Sequence, residues 1–241
     1  MPPTSAKHKA LLATAQPTSY NIHRAYSVVL DHPISNVCAT LAHGHNMEHV
    51  VRLSDICTEF ELFDSDIVVT PDSAPLAESR VRTEPASAVE GGLPRQYFRF
   101  KETVPLVFGL AHTTVELVGT QTWDENAKVV LYETVADQGI VMRKLRAFKE
   151  IEEDGKKKTS VIETIQGSCP MWMKLIVQRA VETSHTCVDC SVRSFLDNIL
   201  HDIRRVGHIW RNTTPFFDAC DSFGEGKTCQ RIDRSLRPSV V

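Results

Sequence analysis

The stretch "VIETIQGSCPMWMKLIVQRAVETS", Val161 to Ser184, changes period in its middle. From Val161 to Gln166 apolar and polar residues alternate in twos, as along a half-buried strand; from Met171 the apolar residues recur at three and four, as along one helix face. Only Gly167, Ser168, Cys169 and Pro170 lie between. Such a junction lets the chain double back, because Ser168 can cap a helix and Pro170 suits its first turn. The helix is expected to run from about Met171 to roughly Arg204, some nine turns at about 3.6 residues each.

What that helix would cover is written upstream. From Arg95 to Gln166 the text is almost wholly strand-like. "RQYFRFKETV" sets Phe98 and Phe100 against Tyr97, Arg99 and Lys101; "HTTVELVGTQTW" sets Val115, Leu117 and Trp123 against threonines and Glu116. The turn "DENA" leads to "KVVLYETVAD", a Gln-Gly to "IVMRKLRAFKEI", and the charged tip "EEDGKKK" to "TSVIETIQG". Connections this short make antiparallel neighbours, since parallel ones need crossovers of about a dozen residues.

Further upstream, "HRAYSVVLDH" supplies a first strand. In "ISNVCATLAHGHNMEHVVRLS", Ile34, Val37, Cys38 and Leu41 share a face, Gly44 interrupts, and Met47, Val50 and Val51 resume it, which reads as two short helices. "CTEFELFDSDIVVT" is a strand expected to turn near Asp64 to Asp66. Residues 71–94 hold four prolines and a Gly-Gly without hydrophobic rhythm, an inserted loop. Residues 1–20 show no period and read as a flexible arm; one domain spans 21–204, and 205–241 is a tail with Trp210, Phe216 and Phe217 for docking.

With 241 residues, 42% apolar and a formal charge of -3, the chain has bulk for one core and no electrostatic reason to seek nucleic acid or anionic membrane. No window approaches the roughly 18 apolar residues of a membrane span, and "ALLATA" is too short for a secretory signal. Seven irregularly spaced cysteines suit reduced thiols, so a cytoplasmic location is expected. The one CxxC, Cys187 and Cys190, falls inside the expected helix and reads as two half-buried helix cysteines. His45 and His49 stand at a metal-compatible spacing on a short helix, yet no third or fourth ligand accompanies them, so no metal is expected. Ser168, Thr183 and His185 have no GxSxG elbow, and no GxGxxG or phosphate loop follows a strand, so no cofactor is expected either. Lys156, Lys157 and Lys158 read as a solvated turn.

The passages "YSVVLDHPISNVCATLAHGHNMEHV", "VELVGTQTWDENAKVVLYET" and "RKLRAFKEIEEDGKKKTSVIETIQGSCP" resemble the START-like, or SRPBCC, superfamily over about residues 22–203. The resemblance implies an α+β helix-grip fold: a curved antiparallel sheet of about six or seven strands wrapped on a long C-terminal helix, with two short helices after the first strand. It also implies a cavity for a hydrophobic small molecule, in a superfamily that includes lipid-transfer domains, hormone receptors and polyketide aromatases and cyclases.

Within such a cavity the informative residues are polar ones that share strand parity with apolar ones. Gln121 shares it with Leu117 and Trp123, Glu133 with Val129 and Leu131, Arg143 with Val141 and Leu145, and Glu163 with Val161 and Ile165. A bulge would reverse the set, turning Tyr132, Thr134 and Phe148 inward instead. Glu133, Arg143 and Glu163 are the expected catalytic groups, for enolisation, dehydration or ring closure. Tyr26, His49, Phe98 and Phe100, with Gln121, Trp123, Tyr132 and Trp172, are the expected substrate contacts. The function that follows is a cofactor-independent cyclase or isomerase of secondary metabolism. The alternatives are a lipid or metabolite carrier, and a module that meets a protein partner through the 71–94 loop and the tail. The expected partner is a hydrophobic small molecule, with a homodimer allowed for.

Overall fold

The computed structural model describes residues 3–14, 17, 19–42, 46–52, 54, 56–70, 75–77, 84–85, 92–105, 112–136 and 138–182. In chain order they form α1 (Ala6–Thr14), β1 (Ile22–Leu30), α2 (Ile34–Leu41), α3 (Met47–Val51), β2 (Cys57–Val69), the two-residue β3 (Glu84–Pro85), β4 (Leu93–Pro105), β5 (His112–Asp124), β6 (Val129–Ala136), β7 (Ile140–Glu153) and β8 (Lys156–Ser168). A 3-10 turn over Met171–Met173 then opens a helix, α4, at 174–182. Expected residues beyond 182, including the rest of the long helix, Cys187, Cys190 and the aromatic tail, lie outside the described residues, as does most of the 71–94 loop.

All strands join one antiparallel sheet in the order β1-β8-β7-β6-β5-β4-β2-β3, seven long strands and a short edge. The meander follows from its turns. Asp154 and Gly155 both take positive φ, 54° and 69°, the conformation whose twist matches a two-residue hairpin between β7 and β8. The change from strand to helix falls where it was read, with β8 ending at Ser168 and the helical turn opening at Met171, but Ser168 does not cap: it closes the strand, and the cap position is Pro170, with no side-chain cap hydrogen bond.

Two apolar clusters close the ends of the concave face. At one end Val37, Cys38 and Leu41 of α2 pack with Leu30, Val130, Phe148 and Val161. At the other, Met173 and Val177 pack with Ile22, Val115, Leu117 and Ile140, which seats the start of α4 on the sheet. Each fully buried aliphatic chain stabilises by about 2 kcal/mol, so either cluster suffices to hold its helix.

Two expectations are corrected. β2 does not turn at Asp64 to Asp66 but runs through, with a register shift between Leu62 and Ser65 that sets Phe63 and Asp64 opposite Tyr97. This is a bulge: the carbonyls it frees are met by the buried amide of Gln96, 2.6 Å from Phe63 O and 3.2 Å from Asp64 O. The N-terminal arm, in turn, contains α1, which lies on the convex face with Leu12 buried against Phe63, Tyr97, Val118 and Val135. Asp64, displaced by the bulge, accepts from Thr4 N at 2.9 Å and pairs with Lys9 at 3.3 Å. Among the described residues no helix is long and apolar enough to cross a membrane.

Candidate functional site

Between the two clusters the concave face is hollow, a cavity of about 240 Å³. Its wall is mostly apolar: Val50 and Val51 of α3, Phe98 and Phe100 of β4, Met142 of β7, and Ile176 and Val181 of α4. Strand register decides which residues look in. Phe98 opposes Gly119, Gln121 opposes Tyr132, Tyr132 opposes Lys144, and Arg146 opposes Glu163, so even positions of β4, β6 and β7 share the concave face with odd positions of β5 and β8. Gly119 is required there, because a Cβ at that position would come 2.5 Å from the Phe98 ring.

Gln121 and Glu163 therefore lie on the concave side, as parity suggested, and so do Phe98, Phe100 and Tyr132. Phe98, Phe100 and Tyr132 line the cavity; Trp123 packs instead against the cluster beneath α2, and Tyr26 of β1 stands half-buried opposite Glu163. Glu133 and Arg143 are the correction. They oppose each other on the convex face, away from the hollow. Parity failed on β6 because both of its faces are buried: Val129 and Leu131 pack on the convex side and Val130 on the concave side, so the strand reads as one apolar run. Trp172 is 74% exposed within the 3-10 turn, and His49 is not among the lining residues, whereas its neighbours Met47 and Val50 are. No cluster of three or more His, Cys, Asp or Glu side chains among the described residues could hold a metal ion.

The polar residues that do line the hollow are Glu102, Lys144, Arg146 and Tyr132, with Ser54, Thr113 and Thr134. Three of the sheet's polar side chains have a structural duty. The last carbonyls of α2 have no intrahelical partner. Gln121 Nε2 reaches Ala42 O at 2.7 Å, the Tyr132 hydroxyl donates to Leu41 O at 3.2 Å, and Arg146 Nη1 donates to the same oxygen at 3.3 Å. Arg146, only 2% exposed, also forms a tight ion pair with Glu163 of the neighbouring strand, so a buried guanidinium finds both a carboxylate and a helix C-terminus.

Lys144 and Glu102 are different. The Lys144 ammonium stands 4.0 Å from Glu163 and 4.7 Å above the Tyr132 ring, and its side chain keeps 31% exposure. Burial pushes this ammonium down; Glu163 pulls it back up, Arg146 pushes it down again, and Glu102 raises it. Glu102 stands on β4, with β5 and β6 between it and the strand of Lys144, yet it shares the same cavity because the sheet curls. Burial raises its carboxyl to about 7, against the lowering pull of Lys144. Tyr132 is raised by burial and holds its proton.

Glu102, Lys144 and Arg146 escaped the sequence reading, although two signals existed. Glu102 continues the parity of Phe98 and Phe100, and Lys144 and Arg146 share that of Phe148, the residue turned inward by the bulged alternative.

No family model and no curated protein matches the chain. Solved structures are similar to it at 12% identity: TTHA0849 from Thermus thermophilus over 70% of this chain and 94% of that one with a TM-score of 0.40, the Zhui aromatase/cyclase from Streptomyces sp. R1128 over 70% and 92% with 0.44, and DR_A0006 from Deinococcus radiodurans over 69% and 92% with 0.36. Likenesses at that level carry no functional argument; the START-like character of the fold rests on its strand order, the two short helices after β1 and the helix that follows β8.

Proposed function

We propose that the cavity encloses a hydrophobic carbonyl compound, polyketide- or terpenoid-like, and that the chain acts on it as a cofactor-independent cyclase or isomerase of secondary metabolism. The observation that carries this reading is that Glu102 and Lys144 line one apolar hollow and each feels the other's charge. A carboxyl raised to about 7 is partly ionised at neutral pH and serves as a base for a proton next to a carbonyl. The Lys144 ammonium polarises the carbonyl oxygen, and the apolar wall holds a flexible substrate in a folded, reactive shape. Free thiols at Cys38, Cys57 and Cys169 suit a reducing compartment, and we place the chain in the cytoplasm.

Native mass spectrometry of the full chain tests the first half of this reading: a retained apolar metabolite with a carbonyl group is the expected result, and a chain that takes up none when offered such compounds overturns it. The second half is tested with that metabolite as substrate. Glu102→Gln is expected to lower turnover by about a hundredfold. The apolar majority of the lining favours a second reading, a carrier. A carrier retains the metabolite unchanged and is indifferent to Glu102→Gln and Lys144→Met.

A further inference from the structure

We propose that Lys144 is a nucleophile whose amine forms a Schiff base with the carbonyl carbon of an apolar aldehyde or ketone held in the cavity, with Glu102 carrying the protons. This rests on the preceding reading that the hollow takes a carbonyl compound, and it turns Lys144 from a polarising group into a covalent one.

Lys144 is set apart from the chain's other described lysines. Five of the nine others, Lys9, Lys101, Lys128, Lys157 and Lys158, each stand within 3.3 Å of a carboxylate oxygen. Lys144 alone among the described lysines lines the cavity, and its nearest recorded carboxylate, Glu163, is 4.0 Å away and already engaged by Arg146. Its 31% side-chain exposure therefore opens onto the chamber, where a guest carbon can approach the nitrogen.

The groups around it decide whether that nitrogen can be neutral. From β8 the Glu163 carboxylate favours the ammonium; from β7 the Arg146 guanidinium opposes it; from β6 the Tyr132 ring face attracts it; from β4 Glu102 faces it across the hollow. α3 and α4 present only apolar side chains among the lining residues. When an apolar guest displaces water, separated charges become costly, and passing the ammonium proton to Glu102 leaves two neutral groups. A desolvated lysine beside a second cation is a recognised way of arming an amine.

The step balances without any further reagent. The Nζ lone pair forms the C–N bond, the carbonyl π electrons move to oxygen, and a proton shifts from nitrogen to that oxygen to give the carbinolamine. Glu102, now protonated, delivers its proton to the hydroxyl, which leaves as water. A protonated imine and the Glu102 carboxylate remain. The same carboxylate then stands ready to take an adjacent C–H proton, which gives the enamine that ring closure onto a second carbonyl requires.

The test incubates the full chain with 2-naphthaldehyde and sodium cyanoborohydride, which reduces an imine to a stable secondary amine, and maps the adduct by peptide mass. Lys144 is expected to be labelled at least about tenfold faster than the exposed Lys156 or Lys157, with 2-naphthalenemethanol, which lacks the carbonyl, protecting it. Lys144→Arg should lose the fast adduct while still binding the alcohol, and Glu102→Gln should slow it by about a hundredfold. Where a variant fails to fold, the protection experiment on the unaltered chain decides alone. Labelling of Lys144 no faster than that of the exposed lysines, with the alcohol bound, overturns the Schiff base and leaves the cavity reading intact. Absence of binding by either naphthalene compound overturns both.

Discussion

Glu102 holds a proton that its unfolded counterpart would have given up. Its folded value of about 7 lies above the ordinary 4.5, so between those values the folded chain binds more protons than the unfolded one, and stability falls as pH rises through that window. Glu102→Gln removes the charge that causes this. It is expected to leave stability unchanged near about pH 4 and to raise it by up to about 3 kcal/mol near about pH 8, read from urea midpoints across pH; a constant difference would place the carboxyl in water. Glu163 behaves oppositely. Its carboxylate neutralises Arg146 in a wall that solvent hardly reaches, and taking it away strands a buried guanidinium. Glu163→Gln should cost about 3 to 5 kcal/mol near neutral pH with the denaturant slope unchanged. The two carboxylates thus separate by their effect on folding: the one bound to Arg146 stabilises the fold, and the one facing the hollow works against it.

At the scale of elements, side chains from the sheet stabilise the helices that the chain lays on it. α2 is short, and its C-terminal carbonyls are met by Gln121, Tyr132 and Arg146, so two of the residues expected to contact substrate are at least partly occupied in fixing the helix that closes one end of the cavity. α1 depends on β2 in the same way. The bulge that places Asp64 beside Thr4 and Lys9 is what anchors the helix start. Asp64→Asn weakens those contacts and should cost about 1 to 2 kcal/mol, with faster amide exchange confined to residues 6–14; unchanged exchange would show that Leu12 holds α1 unaided. This is also why α1 was illegible. "AKHKALLAT" carries no clear apolar stripe, and its helicity comes from tertiary contacts supplied some fifty residues later. The junction from Val161 to Met173 was legible for the converse reason: alternation, the change of period and a proline all fall within a few residues of one another.

For the whole molecule, the consequence of curvature is that a sheet gripped at both ends by apolar clusters is not filled in between. The order of elements made that shape readable, and Phe98, Phe100 and Glu163 followed from simple alternation. The hollow shared by Glu102 and Lys144 did not, since the curl of strands that are not neighbours brings them to it, and the burial of β6 on both faces hid its inward side. A hollow lined by Val50, Phe100, Met142 and Ile176 forgoes the van der Waals contacts that a packed core would have. Such a void costs stability. Ile176→Trp, on the helix that roofs the cavity, adds bulk where there is room for it. The expected result is a melting temperature unchanged or raised and a loss of naphthalene-probe binding by at least about tenfold, measured by fluorescence titration. Should the larger side chain destabilise the fold while binding persists, the guest lies elsewhere and the hollow is already closed in solution.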